Sequence, residues 1–166
     1  MHQVPIINIP AYDASGKGLV IEFKLTIIPD NGFLVSATGK IAAALQNNFN
    51  RIIEIMVSIK KSWECLGSIA YMLESDEGQF SVKDSKSSSM ALSIALINAH
   101  RVLQGQLPIS GLTGTGILRI DGSFEHSHLE DKKYLAAKQS IPSLKKFITP
   151  NECNHLYDLE QLINQF

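Results

Sequence analysis

A serine-rich segment of this chain has the composition and the position expected of a nucleophile loop. It reads D-S-K-S-S-S from Asp84 to Ser89 and continues directly into an apolar helical pattern. A serine at the start of a buried helix lies beside first-turn N–H groups that have no partner within the helix, at the positive end of the helix dipole. Such a position suits a nucleophile and stabilises an oxyanion. The alternative is a solvated Ser/Lys loop that caps a helix.

Two adjacent lysines could supply the base that such a serine needs. Lys132 and Lys133 open the segment K-K-Y-L-A-A, in which alanine and leucine would keep one side dry. Burial lowers the pKa of an ammonium because it penalises the charged form, and a Ser-Lys dyad can then replace a Ser-His-Asp triad. Periodicity does not separate the two lysines, and a solvated pair on an amphipathic helix is the alternative. His2, His100 and His155 have no partner pattern that supports a triad.

In order and spacing, these segments resemble the proteolytic domain of Lon proteases. That family has Asp-Gly-Pro-Ser-Ala-Gly before a helix containing Ala-Leu-Val-Ser-Ala, then Met-Thr-Gly, then Lys-Glu-Lys-Leu-Leu-Ala-Ala. This chain has D-S-K-S-S-S at 84–89, A-L-I-N-A at 95–99, L-T-G at 112–114 and K-K-Y-L-A-A at 132–137. The resemblance is clearest over residues 19–166. It implies one Lon-like domain over residues 1–166 with an α/β (α+β) fold, in which helices pack on a mixed sheet.

The resemblance assigns roles to individual residues. Ser87 takes the place of the family's nucleophile and Lys133 that of its general base. Asp84 matches the leading aspartate of the motif, and Thr113 matches a threonine that hydrogen-bonds near the catalytic lysine. The implied activity is that of a serine protease that uses a Ser-Lys dyad and no cofactor to hydrolyse peptide bonds in unfolded or flexible proteins. Small domains of this type assemble into rings, so a homo-oligomer is also expected.

The serine loop departs from the family's motif. Ser85 and Lys86 replace Gly-Pro, and Ser88 and Ser89 replace Ala-Gly at the positions of the oxyanion loop. Glycine there lets the backbone approach a substrate, whereas serine carries a side chain. A non-catalytic module of the same fold, acting in assembly or scaffolding, is therefore the alternative function.

Two further departures lie near the lysines. Thr115 replaces the glutamate that follows Thr-Gly in the family, and His128-Leu129 replaces a glycine pair. The sequence E-H-S-H at 125–128, together with Glu130, contains potential metal ligands. Because a distant third partner is missing, a solvated turn is favoured and no metal site is predicted.

Composition narrows the class of protein. The chain of 166 residues suits one domain, and its net charge of −1 without a basic block gives no indication of nucleic-acid or membrane-surface binding. The apolar clusters are too short to span a membrane, and no signal-peptide pattern is present, so a cytoplasmic protein is expected. Cys65 and Cys153 match no metal or redox spacing and are expected to be reduced thiols. Without a Walker A motif, proteolysis would need flexible substrates or an ATPase partner in trans.

Hydrophobic periodicity and turn signals predict the elements that position these residues. The predicted strands cover 5–11, 19–28, 33–37, 68–73, 117–120 and 144–148, and the turn P-D-N-G at 29–32 predicts that the second and third form a hairpin. The predicted helices cover 40–66, ended by Gly67, and 87–104, with a third started at His128 by the capping box of Ser127 and Glu130 and a last one capped by Thr149 and Glu152.

Overall fold

Helices packed on a mixed β-sheet form the architecture of the protein, as predicted. The computed structural model describes residues 2–75 and 85–166. The strands are β1 (His2–Gln3), β2 (Ile7–Tyr12), β3 (Gly18–Ile28), β4 (Leu34–Thr38), β5 (Ala70–Glu74), β6 (Leu112–Gly114), β7 (Ile117–Leu118), β8 (Phe124–Glu125) and β9 (Lys146–Ile148). The α-helices are α1 (Lys40–Ile59), α2 (Ser89–Leu103), α3 (Glu130–Ser140) and α4 (Leu156–Asn164), with 3₁₀ segments at Lys61–Ser68 and Ser85–Ser88.

Strand β3 lies at the centre of the main sheet. It pairs antiparallel with β1, β2 and β5, and β4 pairs parallel with the far side of β5. The predicted hairpin between residues 19–28 and 33–37 is therefore wrong. Leu73 on β5 faces Leu25 on one side and Ala37 on the other, so a distant buried strand separates the two. The turn signal at 29–32 is local and carries no information about a strand inserted from later in the chain.

Helix α1 covers one face of this sheet with the predicted apolar stripe. Phe49 is fully buried, and its ring meets Tyr71 of β5 edge to face at a centroid distance of 5.3 Å. The helix ends at Ile59 and not at Leu66, because Lys60 adopts an extended conformation. The 3₁₀ segment that follows still buries Trp63, whose indole N–H donates to Glu160 on α4 at 2.9 Å. Contact with α4 thus explains why the apolar pattern continues after the α-helix has ended.

Helix α2 runs through the interior, and all of its residues from Ser89 to Ala99 are buried. The side-chain amide of Asn98 donates to the carbonyl of Ile109 and accepts from the N–H of the same residue, both at 2.8 Å. These bonds fix the segment that follows α2 against the helix. The chain then continues into β6.

Helix α3 lies against β2 and β3. A Cβ atom at Gly18 would come within 2.4 Å of the carbonyl oxygen of Lys132, so the absence of a side chain permits this close packing. Gly114 has the same role between β6 and β9, since a Cβ there would lie 2.1 Å from the carbonyl oxygen of Ile148. The two glycines thus allow β3 to approach α3 closely and β6 to approach β9 closely.

Two predicted helix starts are wrong. Helix α3 begins at Glu130 and not at His128, and Leu129 precedes it in the left-handed conformation with φ 56° and no side-chain cap bond. Helix α4 begins at Leu156, after His155, whose side chain accepts from the N–H of Tyr157. The spacing of a capping box is a local signal, and here Ser127 lies three residues before α3 while the Thr149–Glu152 pair lies wholly before α4. Within the described ranges, no helix is both long enough and apolar enough to cross a membrane.

Candidate active site

The side chain of Lys133 is almost completely removed from solvent, with 1% exposure. Its Nζ donates to Thr115 Oγ1 at 3.3 Å and to Ser127 Oγ at 3.2 Å. The same atom lies 5.4 Å from the centre of the Tyr12 ring on β2. The hydroxyls and the π-face partly replace the water that the amine loses on burial.

Helix geometry distinguishes the two adjacent lysines. Lys133, Ala136 and Ala137 are the buried residues of α3, and their spacing of three and four places them on the face that packs against β2 and β3. Lys132 is exposed. The apolar periodicity of this short segment was too weak to show which lysine turns inward, because two alanines and one lysine make up the whole buried face.

Ser87 lies in the 3₁₀ segment directly before α2, and only 8% of its surface is exposed. Its carbonyl oxygen accepts long hydrogen bonds of 3.4 Å from the N–H of Gly116 and from Thr115 Oγ1. Thr115 therefore contacts both the predicted base, Lys133, and the segment that carries the predicted nucleophile. Residues distant in sequence are brought together by the loop between β6 and β7.

The two serines predicted for the oxyanion loop bind the neighbouring helix α1. Asn48 Nδ2 donates to Ser88 Oγ at 3.1 Å and to Ser89 Oγ at 3.3 Å. Ser89 Oγ in turn donates to the carbonyl of Lys86 at 2.5 Å. Ser88 and Ser89 are 2% and 0% exposed. Their side chains thus hold the serine loop against α1, a role that alanine and glycine at these positions could not have.

Thr113 does not provide the hydroxyl that binds the lysine. It is buried on β6, and its Oγ1 donates to the backbone carbonyl of Asn8 on β2. The hydroxyls on the lysine come instead from Thr115 and Ser127, neither of which was predicted to contact it. Thr113 therefore joins β6 to β2, and the next threonine of the T-G-T sequence reaches the amine. Asp84, the predicted supporting carboxylate, lies outside the described residues.

Ser127 was interpreted from the sequence as a helix cap, and its actual contacts are with the lysine and with a threonine. Its Oγ lies 2.6 Å from Thr115 Oγ1, in a contact that either hydroxyl can donate. The S-x-x-E spacing that suggested a cap gave no sign of these contacts. Only the pairing of α3 with the β6–β7 loop shows them.

The histidines of the E-H-S-H segment form no metal site. His126 Nδ1 contacts Glu130 Oε1 at 2.9 Å, and both groups are at least partly exposed. Among residues 2–75 and 85–166, no group of three His, Cys, Asp or Glu side chains is placed to hold a metal ion.

Cys153, Tyr71 and His100 are among the groups with shifted pKa values, and none of them contacts the amine of Lys133 in the described residues. Burial raises the pKa of the Cys153 thiol to about 11, with a further contribution from Asp158. Burial also raises the pKa of Tyr71 and lowers that of His100. Cys65 and Cys153 are both free cysteines.

No protein-family model matches the chain, and no curated protein matches it. The interpretation of the site therefore depends on the residues and contacts described above.

Proposed function

We propose that the chain is a Lon-like serine endopeptidase in which Ser87 is the nucleophile and Lys133 the general base. The observation that carries the proposal is the link through Thr115. The hydroxyl oxygen of this residue accepts from the amine of Lys133 at 3.3 Å and lies 3.4 Å from the carbonyl oxygen of Ser87. A lysine with 1% exposure is unusual without a function, because burying an ammonium is costly.

In the proposed reaction, the neutral amine of Lys133 takes the proton of the Ser87 hydroxyl while Ser87 Oγ attacks a peptide carbonyl. The tetrahedral intermediate then expels the amine of the cleaved bond, which takes the proton back from Lys133. Lys133 then deprotonates a water molecule, which hydrolyses the acyl ester and restores the Ser87 hydroxyl. Backbone N–H groups at the start of α2 are suited to stabilise the oxyanion, since they lie at the positive end of the helix.

The substrate class belongs to the same proposal. An extended, flexible polypeptide could bring a carbonyl to a serine that is 8% exposed, whereas a folded surface could not. Assembly into a ring, an ATPase partner in trans and a cytoplasmic location are further parts of the hypothesis, and each rests on the family resemblance.

A non-catalytic module for assembly or scaffolding is the second candidate, and the serine loop favours it. Ser88 and Ser89 fill the oxyanion-loop positions with side chains bound to Asn48. Those contacts hold the two serines against α1, which suits a structural role better than the approach of a substrate backbone.

Cleavage of casein by matched variants distinguishes the two functions. We expect Ser87→Ala and Lys133→Arg each to lower the rate by roughly a thousandfold or more, and the double variant to lose no more than either alone, because the residues act as one unit. The guanidinium group of arginine does not release its proton near neutral pH, so arginine cannot serve as a base. The control is Lys132→Arg on the exposed neighbour, which should keep full activity.

Circular dichroism would verify that each variant folds, and Lys133→Met would replace Lys133→Arg if the larger guanidinium disrupts the buried site. Wild-type activity should rise with pH, because the neutral amine is the active form. Full activity in Ser87→Ala or in a folded Lys133 variant would refute the dyad. A wild-type chain that forms a defined oligomer and cleaves no unfolded substrate would support the scaffolding function.

A further inference from the structure

Within the described part of the chain, Thr115 and Ser127 place hydroxyls on the amine of Lys133, and Ser127 is the more accessible of the two. Thr115 and Ser127 both accept from Nζ, at 3.3 and 3.2 Å. Thr115 is fully buried, so no substrate could reach its oxygen, while Ser127 is only partly buried. Ser127 is also more exposed than Ser87, whose exposure is 8%.

The hydrogen bonds around Ser127 are arranged as an activated hydroxyl requires. Thr115 has one hydroxyl proton and two acceptors within reach, Ser127 Oγ at 2.6 Å and the carbonyl of Ser87 at 3.4 Å. The shorter contact is the stronger one, so the proton favours Ser127. Ser127 can then donate its own proton to the neutral amine of Lys133. In this arrangement Thr115 stabilises negative charge that develops on Ser127 Oγ, and Lys133 removes the proton.

We propose that Ser127 is a second nucleophile activated by Lys133, and that its substrates are small carboxylic esters whose carbonyl is unhindered. This inference rests on the proposed function for the identity of the base alone, and it does not require Ser87 to react.

The step conserves atoms and charge. Ser127 Oγ forms a bond to the ester carbonyl carbon, and Lys133 Nζ takes the serine proton. The tetrahedral intermediate then breaks its bond to the alcohol oxygen, and the proton passes from Lys133 to the departing alkoxide. The products are an alcohol and an acyl ester on Ser127, which water hydrolyses with the same amine as base. A small ester suits a partly buried hydroxyl because it presents little bulk on either side of its carbonyl.

A purely structural role for Ser127 predicts a different behaviour. In that case its hydroxyl serves only to stabilise the buried amine, and it should react no faster than any serine of similar exposure. Ser123 provides this reference within the same molecule. It is also partly buried, and its hydroxyl donates to the carboxylate of Asp121 at 2.6 Å and not to a lysine amine.

The test treats the full chain with a small alkyl fluorophosphonate and locates the adducts by peptide mass spectrometry. The reagent phosphonylates an activated serine, which releases fluoride while the serine proton passes to the base. We expect an adduct on Ser127 in the wild type and in Ser87→Ala, forming roughly a hundred times faster than on Ser123, the lower end of what a positioned base contributes. Lys133→Met should abolish this difference.

Each alternative result has a defined meaning. An adduct on Ser87 without one on Ser127 would overturn the inference and leave the proposed function intact. Absence of an adduct from both serines would overturn both. Equal labelling of Ser127 and Ser123, or labelling of Ser127 that persists in Lys133→Met, would also overturn it. If Lys133→Met does not fold, Lys133→Gln keeps an amide to bind the two hydroxyls but provides no base, and the same loss is expected.

Discussion

Helices α1 and α3 both bury one face against the sheet, but different forces hold them. The buried residues of α1 are apolar apart from Asn48, and their burial follows the helical period. The buried residues of α3 are Lys133, Ala136 and Ala137, and the helix begins after a leucine in the left-handed conformation. A regular apolar stripe therefore places α1, whereas α3 carries a buried amine and a strained start.

The difference suggests that α1 contributes mainly to stability, whereas α3 has features that are unfavourable for stability. Left-handed backbone costs a leucine about 1–2 kcal/mol, and a buried ammonium loses its hydration. The backbones of β3 and α3 also come close together at Gly18, so this corner is tightly packed. Such unfavourable features are concentrated at functional sites, which is consistent with an active role for the α3 corner.

Truncation of the apolar face should have the largest effect on stability. Phe49→Ala removes a ring that is fully buried and packed on Tyr71, and we expect the free energy of unfolding to fall by about 3–5 kcal/mol. Glu54→Ala on the exposed side of the same helix is the control and should change it by about 0.5 kcal/mol or less. Urea denaturation measures both. A loss below about 1 kcal/mol for Phe49→Ala would mean that α1 does not depend on its apolar face.

Glycine substitutions at two leucines of the α3 corner should have opposite signs. Leu129→Gly relieves a φ of 56° at a side chain that is 39% exposed, and we expect a gain of about 0.5–1 kcal/mol after the entropy of glycine is counted. Leu135→Gly, at an exposed position inside the helix, should lose about 1 kcal/mol. Thermal or urea unfolding compares the pair. Destabilisation by Leu129→Gly would show either that the backbone strain is absent or that the leucine side chain makes contacts whose loss outweighs it.

The smallest expected effect is a pH dependence at the border of the apolar core. Burial lowers the pKa of His100 below its ordinary 6.5, although the Glu160 carboxylate acts in the opposite direction. The unfolded chain therefore binds a proton on His100 at a higher pH than the folded chain does. The contribution of His100 to stability should be constant above about pH 7 and should be lost as the pH drops from there through the folded pKa. His100→Gln should remove this slope in urea titrations between pH 7 and 5.5, and an unchanged slope would contradict the assignment.

The sequence alone determined the features that depend on local pattern. The repeat of apolar residues every three or four positions predicted that α1 and α2 are helices, although α1 ends earlier than expected. A short, β-branched segment bounded by prolines predicted β2, and weak alternation predicted β3. The fold class followed, because a mixed order of strands and helices has few arrangements that bury all of these faces. Ser87 and Lys133 could be named as candidates from the family resemblance, since motif spacing is also a property of the sequence.

Tertiary structure decided the contacts between segments that are distant in the chain. β5 inserts between β3 and β4, which no turn signal at 29–32 could predict. Ser127 binds the lysine where its spacing to Glu130 had indicated a cap, and Thr115, not Thr113, supplies the second hydroxyl. In each case the local sequence is compatible with more than one arrangement. The choice is made by burial against a partner strand or helix, because a hydroxyl or an amine removed from water must find its hydrogen bonds wherever the fold places them.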